Sequence, residues 1–388
     1  MKINLRDRGV RMKAIKNGKI ITPQGILENQ VLVFDEVIRS IQVEVPEDCE
    51  VIDARGMYVS PGLIDVHVHG SCGADTMDQS VEAIETISQG IAQNGVTAFL
   101  PTTMTMSQED IYGALTVIRE CMRRPLVGAK VLGAHMEGPF INESYKGAQS
   151  SQYIVKPNFS FIEPYTDVIK LVSYAPELDE SYAFTKAVKE RTEITLSIGH
   201  TNATYQQAKE AFACGCSHVT HLFNAMTPLN HREPGVVGAA LSSDVFTELI
   251  ADTIHIHKDL FPFVLANKGK EKIVLITDSM RAGCMKDGTY DLGGQAVFVK
   301  DGAARLASGN LAGSVLTLNK AVYNFYKHTD ITLWEAIHMA SLNPATSIGI
   351  HHQKGSLDVS KDADIVVFDE ELNCYLSFVE GREVVNKF

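Results

Sequence analysis

Five short apolar runs in this chain each end in a residue that could bind a metal ion. The runs are Asp65-Val66-His67-Val68-His69, His135-Met136-Glu137, Ser197-Ile198-Gly199-His200, Val219-Thr220-His221 and Leu275-Ile276-Thr277-Asp278. A His, Glu or Asp at the end of a buried run costs free energy unless a partner or a ligand compensates for it. Imidazole and carboxylate groups are common zinc and iron(II) donors in proteins. Their recurrence predicts a metal-centred active site.

The runs are typical of buried parallel strands, because they are short, rich in β-branched residues and bounded by turn residues. Candidate strands cover 59–66, 96–102, 130–136, 169–174, 193–199, 217–222, 247–253 and 272–278. Segments with helical spacing lie between most of them, for example 79–94, 108–122, 180–191 and 203–214. This alternation over 59–354 predicts an α/β fold, a (β/α)8 TIM-type barrel, with the metal site at the C-terminal mouth of the strands.

Short β segments occupy both ends of the chain. Residues 12–58 and 355–388 contain strand-like runs separated by turns, and no segment of helical period interrupts either part. Together they predict one small β-sandwich domain formed from both termini. Met12 offers a second plausible start, so residues 1–11 are expected to be a leader or a start-site extension.

The bulk composition excludes several classes of partner. The net charge of −12 argues against nucleic acid. No apolar run approaches the ~20 residues that a membrane helix needs, so no membrane association is expected. The 7 cysteines are scattered and form no CxxC pair, which is typical of reduced thiols and predicts a cytoplasmic protein.

The spacing of the first ligand candidates allows more than one metal arrangement. His67 and His69 are two residues apart on a strand, so both side chains leave the same face and could bind one ion or two adjacent ions. Glu137 precedes the turn Gly138-Pro139 and could bind one metal or bridge two. Asp278, after the last strand, could be a ligand, a general base or both in turn.

His200 and His221 end two further strands and complete the candidate ligand set. Taken alone, His200 could equally be a hydrogen-bonded core histidine. Its occurrence together with the other strand-end residues favours the ligand interpretation.

The pattern resembles the amidohydrolase superfamily, whose metal ligands follow barrel strands one, four to six and eight and whose β-sandwich comes from both termini. Many members place a carboxylated lysine after strand four. Here Lys170 lies near the start of that strand, and Glu137 on strand three offers the carboxylate instead. Because of this carboxylate, the chain resembles the N-acetylglucosamine-6-phosphate deacetylase family over roughly residues 12–388. Two further segments carry the resemblance, His221-Leu222-Phe223-Asn224-Ala225-Met226 and Arg232-Glu233-Pro234-Gly235.

The resemblance implies hydrolysis of the acetamide of a 2-acetamido-sugar 6-phosphate, which releases acetate. It implies a divalent metal, zinc or iron, held by Glu137, His200 and His221, with Asp278 as proton shuttle. Some relatives lack the first-strand His-x-His and bind one ion. This chain has both histidines, so one or two ions per subunit are expected, the second held by His67 and His69.

The resemblance also assigns residues to the substrate. Arg232 is the expected phosphate contact, helped by the backbone amides of Asn224 and Ala225, and His255 is the expected sugar contact. Some relatives have histidine where this chain has Gln149, which could hydrogen-bond the acetyl carbonyl or a sugar hydroxyl but cannot supply charge. The remaining expected substrate-binding positions are Ala148, Leu311, Ala312 and Gly313.

Three alternatives stay open at this point. The same chemistry could act on the galactosamine epimer, because no residue settles the stereochemistry at C4. A cyclic-amide hydrolase or deaminase is disfavoured by Glu137 and Arg232. A metal-free barrel used as an interaction scaffold would be expected to have lost ligands. The resemblance also implies a homodimer or homotetramer, in which a neighbouring subunit could contribute a phosphate contact.

Overall fold

The computed structural model describes residues 12–388, so the expected leader or start-site extension at 1–11 lies outside the described residues. Parallel strands in chain order form a barrel: β1 (Leu63–Val68), β2 (Val96–Thr103), β3 (Ala134–Glu137), β4 (Ile169–Tyr174), β5 (Thr195–Ile198), β6 (His218–Val219), β7 (Phe246–Ile250) and β8 (Ile273–Ile276). The Asp278 N–H donates to the His67 carbonyl at 2.9 Å, which brings the end of β8 back to β1. The predicted TIM-type barrel with a terminal sheet domain is confirmed.

Helices connect the strands and pack against the outside of the barrel. Several begin at a side-chain cap: the Ser80 hydroxyl accepts from the Ala83 N–H, and Thr204 forms a capping box with Gln207. The helices are Val81–Ala92, Gln108–Met122, Phe159–Ile162, Ala183–Arg191, Tyr205–Cys214, Gly235–Leu241, Phe261–Lys268, Leu318–Lys327, Leu333–His338 and Leu342–Ser347.

Two sheets pack face to face beside the barrel, and the larger of them is built from both chain ends. The four-stranded sheet has the order Ile38–Gln42, Val31–Phe34, Lys13–Lys16, Glu50–Asp53. The six-stranded sheet has the order Arg382–Asn386, Cys374–Val379, Ile365–Phe368, Tyr58–Pro61, Lys19–Thr22, Gly25–Leu27. Their facing apolar side chains form one core, in which the Phe34 and Phe378 rings meet edge to face at 5.0 Å.

The strand Tyr58–Pro61 links the two parts of the molecule. It pairs with Ile365–Phe368 in the six-stranded sheet, and the chain then enters β1 after Gly62. A Cβ atom at Gly62 would lie 2.0 Å from the Thr97 hydroxyl, so only glycine allows this close approach. We therefore propose that the sheet domain, predicted from the sequence to end at residue 58, extends to Gly62.

A three-stranded antiparallel sheet, inserted between β8 and the helix Leu318–Lys327, was not predicted from the sequence. Its strands are Gly288–Leu292, Gln295–Lys300 and Ala303–Leu306. Val297, Val299 and Leu292 from this sheet pack against Met104, which follows β2. The insertion therefore lies over the mouth of the barrel.

Two short two-residue strands, Gly70–Ser71 and Ala74–Asp75, form a hairpin after β1, and Lys130–Val131 pairs with β2. Among residues 12–388, no helix combines the length and the apolar character needed to cross a membrane.

Candidate metal centre

Glu137, at the end of β3, lies at the centre of the candidate site. Its Oε1 atom is 3.0 Å from His200 Nε2 and 3.1 Å from His221 Nε2. The two imidazole nitrogens are themselves 3.1 Å apart, and all three side chains are buried. Three donor atoms this close are compatible with binding to one ion.

A second group of donors approaches Glu137 from β1. His69 Nε2 lies 3.2 Å from Glu137 Oε2, and His67 Nε2 lies 3.4 Å from Glu137 Oε1. Asp278 Oδ1 is 3.3 Å from His69 Nε2 and 3.5 Å from His67 Nε2. Glu137 therefore stands between two groups of histidines, as a bridging ligand would.

The hydrogen bonds of the ring nitrogens fix how these histidines are presented. The Nδ1 atoms of His69, His200 and His221 lie 3.2, 2.9 and 3.1 Å from the carbonyl oxygens of Thr102, Tyr145 and Asn224. A carbonyl oxygen only accepts, so each Nδ1 carries the proton and donates it. The lone pair of each Nε2 is then free for an ion, the usual arrangement of metal-binding histidine.

The donor set fits a divalent metal ion. Four imidazole nitrogens and two carboxylates converge, and imidazole and carboxylate ligands suit zinc and other first-row transition metals. The His67 Nε2 atom is buried and has no hydrogen-bond partner among residues 12–388, and an ion at this position would accept its lone pair.

Mutual electrostatics keep the carboxylates of the centre ionised. Burial alone would raise the pKa of Glu137, but His200 and His67 hold that pKa well below its usual range. Burial would also raise the pKa of Asp278, but His67 and His69 outweigh this effect and lower that pKa. Burial would lower the pKa of His69, but Asp278 and Glu137 raise it well above its usual value. The centre therefore favours bound positive charge, whether protons or a metal ion.

Three residues of the centre have an unusual backbone conformation. His200, His221 and Asp278 have φ angles of 48°, 27° and 48°, in the left-handed region. Such a conformation costs about 1–3 kcal/mol for a residue other than glycine and tends to occur at functional sites. In this protein it turns the chain sharply where β5, β6 and β8 end.

A cavity of about 160 Å³ opens directly onto the centre. This greatly exceeds the roughly 10–15 Å³ that one water molecule needs, so the cavity can admit part of a small molecule. The predicted ligands and Asp278 lie at its floor or just beneath it. All the expected substrate-binding residues except Arg232 line it, namely Ala148, Gln149, Asn224, Ala225, His255, Leu311, Ala312 and Gly313.

Gln149 uses both ends of its amide within the protein. Its Nε2 group donates to Glu137 Oε2 at 2.7 Å, and its Oε1 atom accepts from the Thr105 N–H at 2.6 Å. The expected contact with an acetyl carbonyl or sugar hydroxyl would have to replace one of these bonds. In this arrangement Gln149 orients Glu137.

The expected phosphate contacts are arranged differently from the sequence interpretation. Arg232 is exposed, lies away from the cavity lining and hydrogen-bonds His231 Nε2 at 2.8 Å. The Asn224 N–H donates to the His221 carbonyl at 2.9 Å and is therefore already used. The phosphate-binding roles stay a prediction.

His255, by contrast, lies at the cavity with a fixed ring. Asp252 Oδ2 is 2.6 Å from His255 Nδ1, which leaves Nε2 available to a ligand. Asp252 was not identified from the sequence, because the strand predicted over 247–253 included it, whereas β7 ends at Ile250 in the structure. Met104, Gly147 and Leu292 also line the cavity and carried no chemical pattern that could have identified them.

Comparison with known proteins agrees with this geometry. Residues 58–387 match the model of the amidohydrolase family. This chain belongs to the amidohydrolase family. A Bacillus subtilis relative, an N-acetylglucosamine-6-phosphate deacetylase, is 38% identical to this amidohydrolase over 380 residues, which is 95% of this chain and 96% of the relative.

Two further relatives extend the comparison. An N-acetylgalactosamine-6-phosphate deacetylase of Escherichia coli O157:H7 is 36% identical to this amidohydrolase. The aligned region covers 94% of this chain and 97% of the relative. The crystal structure of N-acetylglucosamine-6-phosphate deacetylase from Pasteurella multocida has a TM-score of 0.91 at 31% identity, covering 97% of this chain and 100% of its own.

Proposed function

We propose that this amidohydrolase hydrolyses the acetamide of N-acetylglucosamine 6-phosphate to acetate and glucosamine 6-phosphate. The observation that carries the proposal is the position of Glu137 between two histidine groups, with Asp278 Oδ1 3.3 Å from His69 Nε2 at the floor of the cavity. The proposal is supported by relatives that are named for this activity and that match nearly the whole chain.

Asp278 would move the proton that the reaction must transfer. Its lowered pKa keeps it a carboxylate, so it can accept the proton of a water whose oxygen attacks the amide carbonyl. The same proton would then pass to the amide nitrogen as the C–N bond breaks, giving acetate and the free amine. A bound divalent ion supplies acidification of water and polarisation of the carbonyl.

We propose that the essential ion is held by Glu137, His200 and His221, and a second by His67 and His69 with Glu137 in common. Zinc or iron(II) suits this set of imidazole nitrogens and carboxylate oxygens. The ion count is expected to reach two per subunit because both donor groups are complete in this chain.

The substrate phosphate is proposed to be bound by Arg232, and the sugar by His255 and the backbone around Ala312. Since Arg232 is exposed and lies outside the cavity of its own subunit, it would reach the cavity of a neighbouring subunit in a homodimer or homotetramer. A cytoplasmic location follows from the substrate class and is proposed with it.

The galactosamine epimer is a second candidate substrate, favoured by the 36% identical Escherichia coli relative. Acetate release from N-acetylglucosamine 6-phosphate, N-acetylgalactosamine 6-phosphate and the two unphosphorylated sugars tests both. We expect the glucosamine phosphate to be hydrolysed with the highest kcat/KM. Chelation should abolish turnover, and zinc or iron(II) should restore it. Failure to release acetate from either phosphate in the metal-loaded protein would contradict the proposal.

A further inference from the structure

Glu248 lies in the middle of β7 and is fully buried, yet it belongs neither to the predicted ligands nor to the cavity lining. A carboxylate in such a place needs compensating partners, because its removal from water is costly. Its neighbours in the strand, Thr247 and Leu249, are also buried, so packing alone gives no reason for a charged side chain at this position.

One oxygen of Glu248 contacts both halves of the metal centre. Oε2 lies 2.9 Å from His67 Nδ1 and accepts the backbone N–H of His221 at 3.1 Å. His67 belongs to the donor group from β1, and His221 to the group shared with Glu137 and His200. A single atom thus links a ligand side chain of one group to the backbone of a ligand of the other.

His67 is orientated differently from the other candidate ligands. His69, His200 and His221 donate their Nδ1 protons to neutral carbonyl oxygens, whereas His67 donates to the carboxylate. A carboxylate partner fixes the ring and makes the opposite nitrogen a stronger donor to a metal. That opposite nitrogen, Nε2, is buried and has no hydrogen-bond partner in the described part of the chain.

The second oxygen of Glu248 points to a different neighbour. Oε1 has no hydrogen-bond partner among the described residues, and His218 Nδ1 lies 3.8 Å from it. His218 Nδ1 is already 3.1 Å from the Ser197 hydroxyl. The two contacts of Oε2 therefore account for the described hydrogen bonds of the carboxylate, and both lead to the metal centre.

We propose that Glu248 is a positioning residue that prepares His67 for an ion held by His67, His69 and Glu137. The inference rests on the metal centre of the proposed function and deepens it. It concerns binding of the second ion and not the identity of the substrate.

Zinc titration of the chelator-treated full-length protein, followed by elemental analysis, tests this without substrate. The wild type should bind two ions, and Glu248→Gln should weaken one of them by about 10–100-fold, the usual effect of removing a partner of a ligating histidine. The affinity for the other ion should change little, because Glu248 contacts the ligands of that ion only at the His221 backbone. Cobalt(II) absorption spectra should show the same selective loss.

A double-mutant cycle separates positioning from general damage. His67→Gln removes the ligand itself, so adding Glu248→Gln in that background should leave the remaining ion affinity unchanged. Tyr174→Phe is the matched control, because it removes a buried side-chain hydrogen bond, to Thr185 at 2.6 Å, outside the metal centre. It should bind two ions normally. Thermal unfolding of each variant verifies that it is folded.

Three results would overturn the inference: a wild type that binds a single ion, a Glu248→Gln variant that binds two ions with wild-type affinity, or a further loss of affinity when Glu248→Gln is added to His67→Gln. The proposed deacetylase function is tested separately. If the wild type binds two ions and Glu248→Gln weakens only one of them, but the wild type releases no acetate, the deacetylase function is contradicted and the role of Glu248 stands.

Discussion

At the residue scale, the hydrogen-bonded partners of the histidines organise the centre as much as the ligands do. A buried chain runs from His135 Nε2 to Ser173 at 2.7 Å and on to Thr220 at 2.6 Å, Ser197 at 2.5 Å and His218 at 3.1 Å. The ring of His135 packs 4.4 Å from that of His67. Burial and the nearby His67 lower the pKa of His135 well below its usual value, so His135 supports the centre as a neutral ring.

Replacement of Asp278 by Asn tests the proton transfer. The amide cannot accept a proton, so we expect kcat to fall by about 10²–10⁴-fold while the bound metal stays near the wild-type amount. Acetate release and elemental analysis measure the two quantities. Asp259→Asn, an exposed change, is the control and should behave as wild type. Near-normal turnover in Asp278→Asn would refute the assignment.

The predicted ligands meet because each lies at or just beyond the C-terminal end of a parallel strand of one barrel, and that rule can be applied to a sequence. Glu248 shows the limit of such reasoning. Its charge inside the apolar run of β7 was visible in the sequence, but its side-chain partner His67 lies 181 residues away, on β1. Only the closed barrel brings them together, so the roles assigned to side chains within the barrel need the structure.

At the element scale, the inserted sheet is tied to the loop that carries Gln149. Gln295 Nε2 donates to the Ala148 carbonyl at 2.5 Å, and Leu292 lines the cavity. The insertion escaped prediction because its strands lie outside the strand–helix alternation that defined the barrel, and only Val297 and Val299 of the central strand are buried.

Gln295→Ala should loosen this loop and weaken substrate binding. Loss of one hydrogen bond costs about 0.5–1.5 kcal/mol, so KM should rise by roughly 2–10-fold with kcat nearly unchanged. Steady-state kinetics with the phosphorylated substrate measures the split. Lys300→Ala changes an exposed residue of the same strand and should leave both constants unaltered. An unchanged KM in Gln295→Ala would show that the inserted sheet does not contribute to substrate binding.

The helix Leu333–His338 carries a histidine that should make stability depend on pH. Burial lowers the pKa of His338 to about 4, while the unfolded chain has a pKa of about 6.5. The unfolded state therefore binds more protons between these values. Stability is present above about pH 6.5 and is lost as the pH falls toward 4.

His338→Gln should reduce that loss by about 1–3 kcal/mol, since the ring is only partly exposed to solvent. Urea unfolding at about pH 7 and about pH 4.5 measures the difference between variant and wild type. His351→Gln, at an exposed histidine, should keep the wild-type pH dependence. Identical pH dependence in all three proteins would contradict the prediction.

At the scale of the whole molecule, a buried ion cluster joins the barrel to the returning C-terminal strands. Lys354 Nζ lies 2.7 Å from Asp362 and 2.8 Å from Asp364, and only 2% of the lysine side chain is exposed. The Asp364 carbonyl accepts the Gly62 N–H at 2.9 Å, at the point where the chain enters β1. The cluster therefore stabilises the connection between sheet domain and barrel.

Lys354→Met should lower the free energy of unfolding by about 3–5 kcal/mol, because it leaves buried Asp364 without its charge partner. Urea unfolding measures this, and turnover per folded molecule should be unchanged since Lys354 does not line the cavity. Arg124→Met breaks the exposed pair with Glu120 and should cost no more than about 1 kcal/mol. Equal effects of the two changes would refute a special role for Lys354.

The six-stranded sheet also has a consequence for synthesis on the ribosome. Pro61 pairs with Ile365, so this partner strand is made roughly 300 residues later, about 15–60 s at the usual rate of translation. Throughout that interval the strand Tyr58–Pro61 presents an unpaired edge of the kind that associates with other chains. The emerging polypeptide should therefore depend on chaperones until the last strands leave the exit tunnel.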